Sequence, residues 1–280
     1  MKKGLLAFCM KCMGFALLAV AYFGFKSANL LYQDRYKDTL PGREIYWAID
    51  KSKKRTAKKK LVIGDSTGNQ FFNNQEDDDS IYSLACNQSI GMVGHYILLH
   101  NFLDAGNRPD VVYMVFRPFS LGNNLDDNYT YHYFLKKFYY DENMPFMSET
   151  VSRQIHRIPY YWLCHFPTIQ TTTWAPKYSH EERDYTFISP ITKEYIEKID
   201  SLSSTYNFRL VMVPTFVSKS LKPSIERFDR NELGGVKCRD LLENYLKQIE
   251  YLPDSSFWDG SHLTHPANYK ERILEKLRKG

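Results

Sequence analysis

The sequence contains few of the features that mark disulfide-rich, metal-binding or nucleotide-binding proteins. Five cysteines in 280 residues are too few for a disulfide scaffold, and their spacing does not match a metal site. No HxxxH or HxH pattern occurs among the four histidines of the middle region, which are His132, His156, His165 and His180. The sequence also lacks a glycine-rich phosphate loop and an internal repeat. We therefore predict no metal site and no cofactor.

A strong excess of charge is also missing from most of the chain. The 37 Lys and Arg residues against 32 Asp and Glu give a formal net charge of +5. Much of the excess lies in residues 51–60, which carry seven positive charges. No aromatic residue is interleaved there, so we predict no nucleic-acid partner. A solvated basic linker over 29–60 is one interpretation of this segment, and attraction to anionic lipid headgroups is the other.

Long apolar runs are absent except at the amino terminus. Residues 4–25 are apolar apart from one lysine, and about 1.5 Å of rise per residue makes that long enough to cross a bilayer. Lys26-Ser-Ala28 matches a signal-peptide cleavage site poorly, because a lysine stands where a small residue belongs. We predict an uncleaved membrane anchor within residues 1–28, and a cleavable signal peptide is the alternative.

The charges around this run give opposing indications of orientation. Lys2 and Lys3 precede it and favour an amino terminus inside the cell, whereas the basic residues that follow it favour the reverse. First helices with a short basic head usually insert with the amino terminus inside. We therefore predict a single-pass protein of the cytoplasmic membrane whose folded domain faces outside.

The most informative stretch is Leu61-Val-Ile-Gly-Asp-Ser-Thr-Gly-Asn69. Its first three residues are apolar and mostly β-branched, which predicts a buried strand, and Gly64 ends it. Asp65 and Ser66 then lie where the chain turns into a helix. A serine on such a turn stands clear of the sheet, and the first free N–H groups of the helix point at any oxyanion formed beside it. A Ser/Asp helix N-cap is the structural alternative.

A second stretch, Ser256-Phe-Trp-Asp-Gly-Ser-His-Leu-Thr264, precedes the last predicted helix at about 268–277. Asp259 and His262 are three residues apart, so one tight turn brings the carboxylate to the imidazole. Asp259 would then fix the tautomer of His262, which leaves the other ring nitrogen free to take a proton from Ser66. A surface Asp–His turn is the alternative.

Together, the Gly-Asp-Ser after the first strand and the DxxH before the last helix resemble the SGNH (GDSL-type) hydrolase superfamily. The resemblance covers roughly residues 58–280. It implies a three-layer α/β/α fold with a flavodoxin-like parallel sheet. It also implies that Ser66 is the nucleophile, His262 the general base and Asp259 the residue that orients it.

The resemblance extends less closely to the oxyanion hole. Asn87-Gln-Ser-Ile-Gly91 stands in the place of the second block of the family, which implies that Gly91 gives an oxyanion N–H; a turn glycine is the alternative. The third block, Gly-x-Asn-Asp after the third strand, is missing, because Arg117-Pro-Phe-Ser120 follows the strand at 111–116. Asn123 and Asn124 come several residues later. Arg117 is a candidate cationic donor, and an arginine paired with a carboxylate is the alternative.

The remaining pattern alternates strands and helices with short connections, which predicts a parallel sheet within a domain over 61–280. Residues 125–187 break this alternation and are rich in Tyr, Phe and Trp, including Trp174 and Tyr178. We interpret them as an insertion over the active-site face, because rings with polar tips suit sugar rings. Packing of these rings onto the domain is the alternative.

These observations predict a serine esterase or O-acyltransferase. Its expected substrates are acyl esters, and specifically acetyl esters, of an envelope or extracellular polysaccharide. The alternative is a catalytically weak glycan-binding or scaffold protein that keeps the fold, which the departure in the third block favours. The acylated glycan and the membrane are the predicted partners, and the sequence names no partner protein.

Overall fold

The computed structural model describes residues 2–36, 42–76, 80–165 and 184–279. Trp174, Tyr178 and His180 lie outside the described residues. The helices are α1 Lys2–Tyr36, α2 Arg43–Ser52, α3 Ser66–Asn69, α4 Gly91–Asp104, α5 Lys136–Phe138, α6 Glu149–Arg157, α7 Pro190–Tyr206, α8 Lys222–Glu226, α9 Arg239–Lys247 and α10 Lys270–Lys279. The strands are β1 Lys60–Gly64, β2 Ile81–Ser83, β3 Val111–Phe116, β4 Arg209–Pro214, β5 Val217–Ser218 and β6 Tyr251–Leu252.

The first four strands form one parallel sheet in the order β2-β1-β3-β4. The register aligns their starts, because Lys60 pairs with Val111 and Val111 pairs with Arg209. Strands β5 and β6 form a separate parallel pair. The predicted α/β class with a parallel sheet is therefore confirmed.

Apolar cores cover both faces of this sheet, as expected for parallel strands joined by helices. Leu61 and Ile63 of β1 point into one core, which α2, α4, α7 and α9 complete. Val62, between them, points into the other core, where it meets Ile273 and Leu277 of α10. Successive side chains of a strand point to opposite faces of the sheet, so the sequence of each strand determines which helices pack on each face.

The amino-terminal apolar run is helical throughout. Within α1, Gly4–Tyr22 forms a stretch of 19 residues with a mean hydropathy of 2.0. At about 1.5 Å per residue it is close to 30 Å long, the thickness of a bilayer core. Its large apolar side chains are exposed, including those of Leu5, Phe8 and Phe15. Among the described residues, this one helix is therefore long and apolar enough to cross a membrane, and a signal sequence has the same character.

Residues 43–52, predicted as part of a basic linker, form α2, which packs onto the domain, whereas most of residues 53–60 are exposed. Ile45 and Ala48 of α2 are fully buried in the core beside α4. After α2, the Thr56 backbone N–H donates to Asn107 Oδ1 over 2.8 Å, and Arg55 Nε donates to the Ala105 carbonyl over 3.0 Å. The folded unit therefore begins at α2, ahead of β1.

The described part of the aromatic region contributes to both the core and the surface. Tyr131, Phe134 and Phe138 are buried in the core that contains α4 and α7, as the packing alternative expects. Tyr129 and Tyr133 instead reach the surface cleft described below and stack with their ring centroids 5.3 Å apart.

Candidate active site

Ser66 is placed by the turn between β1 and α3. Strand β1 ends at Gly64, and Ser66 is the first residue of α3. Asp65 is the N-cap of that helix, because its Oδ1 accepts from the N–H groups of Thr67 and Gly68 over 2.9 and 3.0 Å. The aspartate thus provides the cap and leaves the Ser66 hydroxyl to point away from the helix.

The same carboxylate joins the ends of neighbouring strands. Asp65 is fully buried, and its Oδ2 accepts from the Arg117 backbone N–H over 2.9 Å and from the Ser120 hydroxyl. Thr67 Oγ1 donates to Asp65 and lies 2.8 Å from Thr215 Oγ1, just beyond β4. These hydrogen bonds stabilise a carboxylate removed from water, so the turn that carries Ser66 is fixed to β3 and β4.

Two glycines allow α3 to lie directly on β3. A Cβ added to Gly64 or to Gly68 would overlap the carbonyl oxygen of Val115. Any side chain at either position would force the helix away from the strand. The height of Ser66 above the sheet therefore depends on a glycine on each side of it.

The structure brings Ser66, His262 and Asp259 into one hydrogen-bonded chain. His262 Nε2 lies 2.9 Å from Ser66 Oγ, and His262 Nδ1 lies 2.6 Å from Asp259 Oδ2. Asp259 Oδ1 accepts from the backbone N–H groups of Ser261 and His262 over 2.9 and 2.7 Å. Partial burial of Asp259 disfavours its charged form, but these bonds and the imidazole hold its pKa below the usual value.

A short loop carries both partners of Ser66 and is closed at its base. Phe257 and Leu263 form an antiparallel bridge, and the Trp258 N–H donates to the His262 carbonyl over 3.0 Å. Gln70 joins this base to α3: its Nε2 donates to the Leu263 carbonyl over 3.1 Å, and its Oε1 accepts from the Leu263 N–H over 3.0 Å. Gln70 was not predicted from the sequence. The only feature that points to it there is that it is a polar residue one helical turn after Ser66.

Ser66, Asp259 and His262 line a cleft of about 360 Å³. Its lining combines the hydrogen-bonded chain with polar and aromatic side chains: Ser66, Asn87, Gln88, Ser89, Arg117, Tyr129, Tyr133, Asp259, Ser261 and His262. Among the residues the structure describes, no group of three or more His, Cys, Asp or Glu side chains is arranged to hold a metal ion.

Arg117 is the cation of the cleft. Its Nε donates to Gln88 Oε1 over 3.2 Å, and its Nη1 donates to the Ser261 hydroxyl. Ser261 lies between Asp259 and His262, so the guanidinium contacts the same loop as the imidazole. Both of these guanidinium partners are neutral side chains, which leaves the positive charge available to an anion in the cleft.

Gly91 is placed differently from the sequence prediction. Its N–H donates to the Gln88 carbonyl within the turn that precedes α4. Gly91 has a φ of 60°, lies buried beside Leu125 and does not line the cleft. It therefore fits the turn-glycine alternative, because the predicted oxyanion N–H is already engaged in its own turn.

The two later asparagines are also directed elsewhere. Asn123 is buried, and its Nδ2 donates to the Gln88 carbonyl over 3.0 Å. The Asn124 Oδ1 accepts from the N–H of Ile191 at the start of α7 over 3.5 Å. Neither residue lines the cleft, so neither takes the place of the missing third-block asparagine.

Exposed aromatic rings border the cleft. Trp258 is 68% exposed, and its ring stacks on His262 with the centroids 5.4 Å apart and the planes at 27°. Tyr129 is 48% exposed and stacks on Tyr133. Large exposed rings beside a polar cleft are suited to ligands that combine apolar faces with hydroxyl edges.

Comparison with known proteins adds little to this geometry. No family model matches the chain, and no curated protein matches it. A solved structure of a protein provisionally named a platelet activating factor, from Streptococcus pneumonia, aligns with 93% of this chain and 98% of its own at 14% identity and a TM-score of 0.37. A likeness at that level carries no argument about fold or activity, so the function must be inferred from the site.

Proposed function

We propose that the protein is a serine esterase or O-acyltransferase of the SGNH type. The observation that carries this proposal is the hydrogen-bonded chain from Asp259 through His262 to Ser66 at the mouth of the cleft. A serine within 2.9 Å of an imidazole that a carboxylate holds on its other nitrogen is the arrangement of an activated nucleophile.

The position of the site in the sheet supports the SGNH assignment. The order β2-β1-β3-β4 is the first part of the flavodoxin-like order. All of these strands are parallel, but the direction in which the chain adds strands to the sheet reverses between β1 and β3. Ser66 follows β1 and Arg117 follows β3, so both residues flank that switch point at the carboxyl ends of the strands. Open parallel sheets bind their ligands at this position.

The geometry supports the following sequence of steps. Ser66 Oγ attacks the ester carbonyl carbon while His262 Nε2 accepts the hydroxyl proton, and Asp259 stabilises the imidazolium. The tetrahedral intermediate collapses, the C–O bond to the alcohol breaks, and His262 returns the proton to the leaving oxygen. Water or a sugar hydroxyl then attacks the acyl-enzyme with His262 again as base, which regenerates Ser66.

The oxyanion requires donors other than Gly91. The N–H groups of Thr67 and Gly68 are occupied by Asp65. That leaves the Ser66 N–H at the start of α3 and the guanidinium of Arg117 to stabilise the developing negative charge. A cationic side chain in this role matches the absence of an asparagine after β3.

The aromatic rim and the amino-terminal helix support an acylated glycan outside the cytoplasmic membrane as the substrate. Tyr129 lines the cleft with Ser66 and Trp258 stacks on His262, and both exposed rings suit the apolar side of a sugar. Acetyl is the acyl group we expect. Incubation with an acetyl donor and a glycan acceptor separates the two activities, because acetate alone indicates an esterase and acetylated glycan a transferase.

A fluorophosphonate probe tests the nucleophile. The wild-type chain should form a covalent adduct at Ser66, whereas Ser66→Ala should remain unlabelled and lose about 10⁴-fold or more in kcat. Ser256→Ala, on the same loop as His262 but outside the cleft lining, is the matched control and should label normally. Labelling or turnover that persists in Ser66→Ala would rule out Ser66 as the nucleophile.

The engaged Gly91 N–H favours a second candidate, a catalytically weak glycan-binding protein with the same fold. This protein would bind an acetylated oligosaccharide through Trp258 and Tyr129 but would not react with the probe. Glycan binding measured by calorimetry together with an unlabelled Ser66 would support it against the enzyme.

The membrane orientation can be tested with a reporter fused after Gly280. An active alkaline phosphatase in the membrane fraction would place the cleft outside. An active cytoplasmic reporter at the same position would place Ser66 in the cytosol, and the envelope glycan would then no longer be a reasonable substrate.

A further inference from the structure

The turn that carries Ser66 lies between two other segments of the cleft. Strand β1 has β2 on one side and β3 on the other, so the chain after β1 emerges between the chains that follow β2 and β3. Residues 87–89 follow β2 and line the cleft, and Tyr129 follows β3 and lines it as well. The separation of these two segments therefore sets the width of the cleft beside Ser66.

Asp127, which has no part in the reaction steps given above, joins the two segments. Its Oδ2 accepts from the Ser89 hydroxyl over 2.8 Å, and its Oδ1 accepts from the Tyr129 backbone N–H over 2.7 Å. The Thr130 hydroxyl also donates to Oδ1 over 3.3 Å, and Asn123 Nδ2 donates to Oδ2 over 3.3 Å. One carboxylate thus binds the segment after β2 through one oxygen and the segment after β3 through both.

An ionised carboxylate is the group that suits this position. It accepts through both oxygens and has no hydrogen to donate, and all four of its partners are donors. Hydrogen bonds to a charged group are also roughly twice as strong as those between neutral groups. An asparagine would have the same shape, but it would present an amide N–H to at least one of these donors and weaken that bond. The connection therefore depends on the charge of Asp127 and not on its size alone.

The same carboxylate places the aromatic side of the cleft. Tyr129 is two residues after Asp127, so the bond from its N–H closes a tight turn just before the helical residues Tyr131–Leu135. The Tyr129 ring is 48% exposed and stacks on Tyr133, which also lines the cleft. The position of these rings relative to residues 87–89 therefore depends on Asp127.

We propose that Asp127 is a positioning residue that sets the spacing between the Tyr129 ring and residues 87–89, and that this spacing determines the affinity for the sugar part of the ester. The inference rests on the proposed function, since it assigns the aromatic rim to a glycan. Asp127 does not line the cleft, so it acts through Ser89 and Tyr129 and not on the reacting atoms. Its substitution should change KM for a glycan ester and leave kcat nearly unchanged.

Asp127→Asn tests this in the full chain with two substrates, p-nitrophenyl acetate, which has no sugar, and O-acetylated cellotetraose. We expect KM for the tetraose ester to rise about tenfold, with kcat within about twofold of the wild-type value. Both parameters for p-nitrophenyl acetate should stay within about twofold. Asp126→Asn is the matched control, because the neighbouring aspartate accepts instead from the Asn124 N–H over 3.2 Å and also lies outside the cleft lining.

Ser89→Ala removes only the bond to the segment after β2. It should raise KM for the tetraose ester about fivefold, and the double variant should be no worse than Asp127→Asn alone, because both changes break the same connection. Calorimetry on Ser66→Ala repeats the comparison without turnover. Adding Asp127→Asn to that chain should raise the Kd of the tetraose ester about tenfold.

Several results would overturn the positioning role. These are an unchanged Kd in the Asp127→Asn chain, an equal loss of kcat on both esters, fully additive effects of Ser89→Ala and Asp127→Asn, or no binding of the tetraose ester to Ser66→Ala. A wild-type chain that cleaves neither ester, together with a Kd that still rises in Asp127→Asn, would instead refute the proposed enzyme and leave the role of Asp127 standing. The two failures are therefore distinguishable.

Discussion

Replacement of Gln70 by alanine tests whether the link between α3 and the histidine loop positions the catalytic base. The Gln70 side chain makes two hydrogen bonds to the backbone of Leu263, the residue after His262. Alanine removes both partners at once and leaves the N–H and carbonyl of a buried residue unsatisfied. No atom of Gln70 itself belongs to the proposed reaction, so its effect would be one of position.

The structure allows the size of this effect to be worked out. Each lost hydrogen bond removes about 0.5–1.5 kcal/mol, and an unsatisfied buried group costs about 1–3 kcal/mol. The loop should therefore lose roughly 2–4 kcal/mol of local stability. If His262 Nε2 moves by about 1 Å from its place 2.9 Å from Ser66 Oγ, catalysis should fall about 100-fold.

The assay is the hydrolysis of p-nitrophenyl acetate together with the rate of fluorophosphonate labelling. We expect Gln70→Ala to lower kcat about 100-fold with little change in KM, because the cleft lining is intact. Gln248→Ala is the matched control, since Gln248 also donates to a backbone carbonyl but is the C-cap of α9, outside the cleft lining. A variant that unfolds at a lower denaturant concentration yet keeps more than half of the wild-type kcat would refute the positioning role.

Three further substitutions extend these predictions. Asp259→Asn should lower kcat about 10⁴-fold without unfolding the domain, because the imidazole loses the group that fixes its tautomer; an unchanged rate would contradict the triad. Arg117→Gln should lower kcat about 10²–10³-fold and Arg117→Lys should recover part of it, whereas equal rates in both variants would exclude a cationic oxyanion donor. Burial lowers the pKa of His95 from 6.5 to about 3, so His95 is neutral when folded and protonates first in the unfolded chain. The folded state should therefore lose stability as the pH falls below 6.5, by about 2 kcal/mol at pH 5, and His95→Phe should abolish this loss in urea titrations.

Much of the fold was predictable because its signals are local. The apolar β-branched run before Gly64 and the alternation of strands with helices predicted the parallel sheet, and the structure confirms it. Ser66, Asp259 and His262 were selected because each lies in a short motif with few conformations open to it. The structure brings these three together, and their catalytic roles stay predictions.

The features that were not predicted depend on contacts between distant parts of the chain, which composition and short motifs do not reveal. A basic linker was predicted over 29–60, yet Ile45 and Ala48 of α2 are buried in the core, while most of residues 53–60 are exposed. Gly91 was selected by the similarity of its block, but the N–H direction depends on a turn that closes onto Gln88. Gln70 has no signature of its own, because its role depends on a partner 193 residues later.

The large number of residues between Ser66 and His262 in the sequence has a consequence for biosynthesis. The two residues lie 196 positions apart, and the histidine loop comes just before the last helix. While the chain is being synthesised, Ser66 emerges long before an imidazole exists to take its proton. A nascent or truncated chain that stops before residue 262 therefore holds an ordinary, unreactive serine. If the domain is exported and has the activity proposed above, that activity begins only after the histidine loop has crossed the membrane and folded against Ser66.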